Sequence, residues 1–266
     1  MSRRWLEAHR KLVRLAIIVS ALVVAGVVMA YRASVLFQPE PPAFPTGVVR
    51  VAVDPSIPPF AYYDQSGELV GLDVDLARRI AEELAMPVDL QIYGVDGLYD
   101  ALYNGNVDLV IAALQPETWR MGDALYTRSY FDNGLVLVVL LDSEISAMSH
   151  LPENTLAYAF ASDADTEARR WSRRIEAFEH QPYELASYAI DAVRLQQADA
   201  ALVDAISARL YLRDHPQWQA KTAYVTHQPL VIAVNREQPA TFRVVNAALT
   251  QLIENGTVEK LLERWL

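Results

Sequence analysis

The sequence predicts an α/β fold of two similar lobes that follow a separate hydrophobic segment. From Gly47 onward, short apolar runs typical of strands alternate with amphipathic runs typical of helices. One spacing occurs twice, because Asp100-Ala101 precedes Asp108 by eight residues and Asp191-Ala192 precedes Asp199 by eight. Each time a helical pattern leads into a buried strand, which indicates two related units. A chain of 266 residues is long enough for two modest domains.

The composition excludes several classes of protein. Hydrophobic residues make up 52% of the chain, so it is not intrinsically disordered. The absence of cysteine excludes a thiol nucleophile, a disulfide scaffold, a cysteine-ligated metal site and a lipid-modified cysteine anchor. A formal net charge of −10 argues against nucleic acid as a partner, since that partner needs a basic surface. The five histidines show no metal-ligand spacing, and neither a metal nor a cofactor is expected.

The amino-terminal segment predicts export from the cytoplasm. Residues 1–14 carry five basic side chains and one acidic one, whereas the remainder of the chain carries 18 basic and 32 acidic ones. Residues 15–31 are seventeen consecutive uncharged positions, which as a helix would span about 26 Å. The basic flank predicts that the amino-terminal end stays in the cytoplasm. Residues 35–46 include a proline-rich stretch and predict a semi-extended linker.

Two interpretations of this hydrophobic segment are open. An uncleaved transmembrane anchor over residues 15–34 explains the length of the segment and the absence of a cysteine for lipid attachment. A signal peptide would be cleaved after the small-residue site Val28-Met29-Ala30. Both interpretations place the remainder of the chain outside the cytoplasm, in the periplasm or at the cell surface.

Periodicity predicts the elements of the first half. Apolar runs indicate strands, and residues that recur on one face every three or four positions indicate helices. The predicted order is a strand at Val48–Val53, a helix at Asp73–Met86, a strand at Val88–Ile92, a helix at Gly97–Asn104 and a strand at Val107–Ala113. Strand–helix–strand alternation with short links favours a mainly parallel sheet.

The second half repeats this pattern. The predicted elements are a strand at Thr155–Phe160, helices at Asp165–Glu179 and Tyr188–Gln197, and strands at Asp199–Val203 and Leu230–Val234. Ligands of open α/β sheets bind beyond the carboxyl ends of the strands. We therefore expect the strand ends at residues 113–120 and at Asp204 to face each other across a cleft.

Several ordered segments carry a resemblance to a known family. The opening VRVAVDPSIPPFAYYDQSGELVGLDVDLARRIAEEL, the core LYDALYNGNVDLVIAAL and the closing NAALTQLIENGTVEKLLERWL resemble the family 3 bacterial extracellular solute-binding proteins. The resemblance covers roughly Val48 to Leu266. It implies the type II periplasmic-binding fold, with a ligand cleft between two lobes, and the capture of an amino acid or related polar solute for an ABC permease.

The resemblance also implies how the chain divides. The first lobe would comprise residues 47–132 and 230–266, and the second lobe residues 133–229. The chain would thus cross twice between the lobes, and ligand binding would close the cleft by a hinge motion at these two crossovers.

Two charged residues match the family's ligand clamp. A zwitterion buried between lobes needs an opposite charge at each end, since an unpaired buried charge is strongly unfavourable. Arg120 matches the position that binds the α-carboxylate, which a planar guanidinium can grip at both oxygens. Asp204 matches the residue that receives the α-amino group. The alternatives are a surface arginine and an N-cap of the following helix, Ala205–Arg213.

Four further residues are candidate ligand contacts. Gln115, five residues before the arginine, matches a lining position, and Phe60 would stack on the ligand or lie in the core beneath its turn. Ser162 and Asp163 would present a hydroxyl and backbone donors at a helix N-terminus, although Asp163 alternatively caps that helix. Ala161-Ser162-Asp163 replaces a Gly-Thr-Thr-like turn of the family, and such departures leave the side-chain preference of the ligand open.

Two aspartates near the start of the first helix invite an acid–base interpretation. Asp73 and Asp75 do not share a helical face, however, and their place after Gly71 favours capping and interaction with the helix dipole. We therefore expect no catalytic residue, and the protein is not predicted to be an enzyme.

Two other functions compete with transport. An enzyme on the same fold would resemble the cyclohexadienyl dehydratases, with Glu117 or Asp163 as the pocket acid. A membrane-tethered sensor would need a signalling partner, because residues 1–14 are too short for a cytoplasmic domain.

Overall fold

The computed structural model describes residues 19–32, 41–117 and 122–266. The chain divides between Pro41 and Pro42 into two compact units. In the first unit, residues 19–32 form a helix (α1) with exposed side chains. No helix within the described ranges is long and apolar enough to cross a membrane. The predicted basic tail at residues 1–14, both ends of the predicted segment at 15–34 and most of the predicted linker lie outside the described residues.

The second unit contains two large sheets. The strands of the first sheet come from both ends of that unit. Its strands are β1 (Val49–Val53), β4 (Val88–Ile92), β5 (Leu109–Leu114), β6 (Ala124–Tyr126), β7 (Phe131–Asp132) and β13 (Pro229–Asn235). Their order is β4-β1-β5-β13-β6, and β7 also pairs with β13. The pairs of β1 with β4 and β5 are parallel, whereas β13 runs antiparallel to its partners.

Helices cover this first sheet on both faces. They are α2 (Leu72–Glu83), α3 (Val95–Tyr103), α7 (Pro239–Glu254) and α8 (Thr257–Trp265), and a hairpin of β2 (Tyr62–Tyr63) and β3 (Leu69–Val70) precedes α2. Alternate residues of β5 point to opposite faces. Leu109 and Ile111 join α2, α7 and α8 in one buried cluster, whereas Val110 and Ala112 join α3 in another.

A second sheet is formed by the middle of the chain. Its strands are β8 (Leu135–Leu140), β9 (Thr155–Ala159), β10 (Glu179–Tyr183), β11 (Ala200–Asp204) and β12 (Ala220–Tyr224), in the order β10-β9-β11-β8-β12. Its helices are α4 (Asp163–Trp171), α5 (Ala186–Arg194) and α6 (Ala205–Asp214), and a short 3-10 helix lies at Met148–His150. The chain therefore folds into two lobes, each an α/β layer with its own sheet.

Two short segments connect the sheets and lie against each other. One runs from β7 to β8 and the other from β12 to β13. The carboxylate of Asp132 accepts hydrogen bonds from the backbone N–H of Gly134 (2.9 Å), the backbone N–H of Gln228 (2.8 Å) and the ring of His227 (2.5 Å). A Cβ on Gly134 would lie 1.9 Å from the carbonyl oxygen of Thr226, so the close approach requires glycine. The predicted lobe limits, 132/133 and 229/230, fall at these crossovers and stay a prediction.

Each strand that periodicity predicts is observed, but the buried strand β8 (Leu135–Leu140) was not predicted, and one predicted helix is wrong. The strand at Val88–Ile92 has the predicted bounds. The helix predicted over residues 165–179 is wrong, because α4 ends at Trp171 and Glu179 begins β10. The hydroxyl of Ser172 donates to the carbonyl of Ala168 (2.9 Å), and the chain then turns to place β10 parallel to β9. The polar sequence of β10 reflects its position at the edge of the sheet.

Candidate functional site

A cavity of about 280 Å³ lies at the carboxyl ends of β9 and β11. It brings together three of the predicted site residues, Ser162, Asp163 and Asp204. The lining residues are Asn133, Leu135, Ala159, Ser162, Asp163, Ala164, Ala186, Leu202, Val203, Asp204 and Gln228. This is the edge of the sheet at which open α/β folds bind ligands.

A larger cavity lies at the opposite edge of the second sheet. Its volume is about 750 Å³, and its lining includes Leu140, Asn154 and Asp199, close to the amino ends of β9 and β11. No predicted site residue lines it. Size alone therefore does not identify the functional cavity, whereas strand polarity and the predicted residues favour the smaller one.

Asp204 ends β11 and caps the helix that follows. One carboxylate oxygen accepts the backbone N–H of Ser207 (2.9 Å) and the other accepts its hydroxyl (2.6 Å). The capping alternative is therefore observed. A carboxylate has about four acceptor sites, so two bonds to Ser207 leave capacity toward the cavity that Asp204 lines. Its ligand role stays a prediction.

The turn before α4 is held by Ser162 and Asp165. The hydroxyl of Ser162 accepts the backbone N–H of Asp165 (3.3 Å) and donates to the carbonyl of Ala159 (2.6 Å), which makes Ser162 the N-cap. The expectation that Asp163 caps this helix is wrong. Asp163 is exposed at the first helical position and is free of that role.

The cavity combines carboxylates with helix N-termini. Helices α4, α5 and α6 begin at the lining residues Asp163, Ala186 and Asp204, the last of which is the cap of α6. Helix N-termini present unpaired N–H groups and a partial positive charge, which favour an anionic group. The carboxylates of Asp163 and Asp204 favour a cationic group. The arrangement is suited to a small ligand that carries both charges.

Gln115 links the first sheet to the rim of this cavity. It follows β5, and its side-chain amide donates to the side-chain oxygen of Gln228 at 3.4 Å, which is a long hydrogen bond. Gln228 lines the cavity, whereas Gln115 does not. The predicted contact of Gln115 with a ligand stays a prediction.

Phe60 lies in the hydrophobic core of the first lobe. Its side chain is 4% exposed, and it belongs to the buried cluster that includes α2. Its carbonyl oxygen accepts the backbone N–H of Asp73 at 2.8 Å, and a Cβ on Gly71 would approach that oxygen to 2.2 Å. The core alternative is thus observed, and stacking on a ligand stays a prediction.

The predicted carboxylate ligand is not among the described residues. Arg120 falls within 118–121, between the end of β5 and the start of β6. The nearest described residues are Glu117 and Gly122. Its role as the partner of the ligand carboxylate stays a prediction from the sequence.

Comparison with known proteins identifies the family. The sequence profile described as "Bacterial extracellular solute-binding proteins, family 3" matches residues 49–266. The chain belongs to this family. It is similar to a probable amino-acid ABC transporter-binding protein of Haemophilus influenzae, at 22% identity over 83% of this chain and 85% of that protein. It is also similar to the arginine-binding extracellular protein ArtP of Bacillus subtilis, at 24% identity over 76% of this chain and 80% of that one.

A solved structure shows the same fold. The L-cystine solute receptor of Neisseria gonorrhoeae, in its unliganded open conformation, matches this family 3 protein with a TM-score of 0.70. The match covers 82% of this chain and 92% of the receptor, at 24% identity. At this identity the likeness establishes the two-lobed fold.

Two polar residues that the sequence patterns did not predict also line the cavity. Asn133 and Gln228 line the cavity, and the side-chain oxygen of Asn133 accepts the backbone N–H of Ile206 at 3.1 Å, next to the Asp204 cap. Both residues lie at the predicted crossovers. Because a crossover borders the cleft, a polar side chain there was a signal that could have identified them.

The capping interpretation of the first two aspartates is wrong. Helix α2 has no side-chain cap. The carboxylate of Asp73 is fully buried and accepts the backbone N–H of Ala113 (2.7 Å) and the hydroxyl of Tyr130 (2.8 Å), and burial raises the pKa of Asp73 to about 6. Asp75 accepts the indole N–H of Trp265 at 3.0 Å instead. Asp73 lies four residues before Ala77 on the buried face of α2, a periodicity that was available in the sequence.

Proposed function

We propose that this family 3 protein captures an amino acid outside the cytoplasm and delivers it to an ABC permease. The observation that carries the proposal is the cavity in which Asp163 and Asp204 meet the N-termini of three helices. The relatives support the ligand class, because they are named for amino-acid, arginine and L-cystine binding.

Binding would use both ends of the zwitterion. Arg120 would hold the α-carboxylate, and Asp204 would hold the α-ammonium while it continues to cap α6. Each charge-assisted hydrogen bond contributes about 1.5–3 kcal/mol, so loss of either partner would weaken binding about tenfold or more. The crossovers at Asp132 and Gln228 would act as the hinge that brings Gln115 and the first lobe onto the ligand.

The proposal includes a site of action and a role. Residues 15–31 would direct export, either as a retained anchor or as a signal cleaved near Ala30, and the partner would be the permease rather than a nucleic acid. The protein would bind its ligand unchanged. Incubation with prephenate or arogenate would therefore give no product, and turnover of either compound would show that the dehydratase alternative is correct.

A thermal-shift screen of the full chain against the twenty amino acids tests the ligand class. A ligand that binds only the folded state raises its melting temperature, so we expect at least one amino acid to do so. A panel with no response would contradict the proposal.

Matched variants then test the clamp by calorimetric titration of the amino acid that responds. Arg120→Ala and Asp204→Asn are expected to weaken binding at least tenfold. Arg128→Ala, at an exposed arginine, and Asp199→Asn, at the opposite end of β11, are controls expected to leave the Kd unchanged. Equal affinity of the wild type and Arg120→Ala would show that the carboxylate assignment is wrong.

A further inference from the structure

One buried side chain joins three segments of the first lobe. Asp73 is 0% exposed. Its two carboxylate oxygens accept the hydroxyl of Tyr130, just before β7, and the backbone N–H of Ala113, in β5. Its own backbone N–H donates to the carbonyl of Phe60, in the turn before β2. The strand end, the turn and the start of the crossover are thereby fixed relative to one another.

The strand end that Asp73 holds has an unusual backbone. Ala113 has φ of 49°, in the left-handed region that disfavours residues with a Cβ. Such a conformation is unfavourable for a residue with a Cβ and persists only where its surroundings enforce it. The 2.7 Å hydrogen bond from the Ala113 N–H to Asp73 is the contact that enforces it here. The direction of the chain through Leu114 and Gln115 depends on this turn of the backbone.

We propose that Asp73 is a positioning residue of the ligand site, which aims the chain after β5 at the second lobe. Through Ala113 it sets the direction of Gln115, which already reaches Gln228 at the cavity rim. This inference rests on the proposed function, because it assigns to Asp73 an effect on amino-acid affinity. Asp73 itself does not touch the ligand.

The other end of the same strand offers a matched control. Asp108 precedes β5, is 1% exposed, and pairs with Arg50 at 2.6 Å. It also accepts the backbone N–H of Arg50 at 2.9 Å. Asp73 and Asp108 are therefore both buried carboxylates that stabilise β5, but only Asp73 holds the end that faces the ligand cavity. A merely structural role would make the two equivalent with respect to affinity.

Two substitutions of Asp73 respectively keep and remove its capacity to accept a hydrogen bond. Asn in place of Asp73 keeps one oxygen to accept the Ala113 N–H, and its amide N–H₂ can donate to the hydroxyl of Tyr130. Leu has the same branching of side-chain heavy atoms, with two bulkier methyl groups in place of the oxygens, and it offers no acceptor. It leaves the Ala113 N–H and the Tyr130 hydroxyl without their partner, so the left-handed backbone at Ala113 loses its support.

The test is the Kd of the amino acid that gives the largest thermal shift, measured at a temperature at which all variants are folded. We expect Asp73→Leu to weaken binding about tenfold and Asp73→Asn to restore affinity to within about threefold of the wild type. Asp108→Asn is expected to lower the melting temperature without a change in Kd. Unchanged affinity in Asp73→Leu, or an equal loss in Asp108→Asn, would overturn the inference. If Asp73→Leu does not fold, Tyr130→Phe takes its place, with a smaller loss of affinity expected.

A second measurement does not need a ligand. Amide hydrogen exchange at Ala113, Leu114 and Gln115 is expected to be faster in Asp73→Leu, or in Tyr130→Phe, than in the wild type and in Asp108→Asn. If the wild type binds no amino acid, the proposed function fails, and the exchange rates alone decide whether Asp73 fixes this strand end. If these amides exchange as slowly in Asp73→Leu, or in Tyr130→Phe, as in the wild type, the inference is overturned.

Discussion

The two lobes use the same connection between a helix and the central strand that follows it. In the first lobe, the backbone N–H of Asp108 donates to the carbonyl of Arg50 (2.8 Å), and its carboxylate accepts the N–H of the same residue (2.9 Å). In the second lobe, Asp199 makes the same pair of bonds with Thr155, at 3.0 and 2.7 Å. The repeated spacing in the sequence thus corresponds to a repeated structure, in which one aspartate joins β5 to β1 and the other joins β11 to β9.

The lobes differ in what surrounds this shared connection. Asp108 is buried and bound on both oxygens by the guanidinium of Arg50, at 2.6 and 3.1 Å. Asp199 is exposed and faces the backbone of a threonine rather than an arginine. The same backbone geometry is therefore stabilised in one lobe by a buried carboxylate paired with a partly exposed arginine, and in the other by a solvated carboxylate. This difference predicts different stabilisation energies for the two aspartates.

The largest expected effect on stability comes from replacing Asp108 and Asp199 in turn. Asp108→Ala leaves the guanidinium of Arg50 and its backbone N–H without their carboxylate partner, and we expect the free energy of unfolding to fall by about 3–5 kcal/mol. Asp199→Ala removes one hydrogen bond at an exposed site and is expected to cost about 1 kcal/mol. Urea unfolding followed by circular dichroism measures both. Equal losses would show that burial does not distinguish the two connections.

A second comparison concerns two left-handed alanines, Ala113 in the first lobe and Ala161 in the second. Each has a positive φ, 49° and 56°, and each donates its backbone N–H to an aspartate near the start of a helix. Burial raises the pKa of Asp73 to about 6. The hydrogen bond from Arg169 instead lowers the pKa of Asp165 below its ordinary value. Similar backbone contacts therefore respond to pH in opposite directions.

The opposite shifts predict a pH dependence that two variants separate. The folded state binds a proton at Asp73 more tightly than the unfolded chain does, so the free energy of unfolding should fall as pH rises from about 4 to 6, by at most about 3 kcal/mol. Asp165 contributes stability above its unfolded pKa, which is lost as pH falls through its lowered folded pKa. Denaturant unfolding between pH 3 and pH 8 should lose the first trend in Asp73→Asn and the second in Asp165→Asn. A profile unaltered by Asp73→Asn would contradict the raised pKa.

Sequence patterns predicted the elements whose stabilising contacts are local or periodic. Buried strands such as β1 (Val49–Val53) carry their apolar pattern within a few residues. The polar edge strand Glu179–Tyr183 does not, because it is held by its backbone pairing with β9 rather than by an apolar pattern of its own. The patterns and the family resemblance together identified Ser162, Asp163 and Asp204, which meet in one cavity.

The contacts that were missed join residues far apart in the chain. Asp73 is 57 residues from Tyr130 and 40 from Ala113, and Gln228 is 113 from Gln115. A motif can mark such a residue as polar at a helix start or a crossover, but its partner is known only once the sheets are assembled. For this reason the capping expectation for Asp73 was wrong although the helix itself was predicted.

The last comparison concerns the residue at which each helix ends. Gly105 follows α3 with φ of 69°, and Gln196 follows α5 with φ of 57°. The next residue in each lobe donates its N–H back to the helix in the same way, to Ala101 at 3.0 Å and to Ala192 at 2.7 Å. The first lobe thus uses glycine where the left-handed backbone requires it, and the second lobe holds a glutamine there at a cost.

Exchanging glycine and a larger residue at Gly105 and Gln196 is expected to have the smallest effect on stability, and it is the most specific test of the repeat. Gln196→Gly should raise the free energy of unfolding by about 0.5–1 kcal/mol, because relief of the left-handed strain outweighs the entropy that glycine adds to the unfolded chain. Gly105→Ala should lower it by about 0.5–1 kcal/mol, because the left-handed strain outweighs the entropy that alanine removes from the unfolded chain. No clash adds to this loss, since a Cβ there meets no atom within 4 Å. Gln197→Gly, one residue later and without a positive φ, is the control and should be destabilising. Stabilisation by both Gln196→Gly and Gln197→Gly would show that the gain does not come from the left-handed position. The ends of α3 and α5 would then share a backbone geometry without sharing the strain energy that we assign to it.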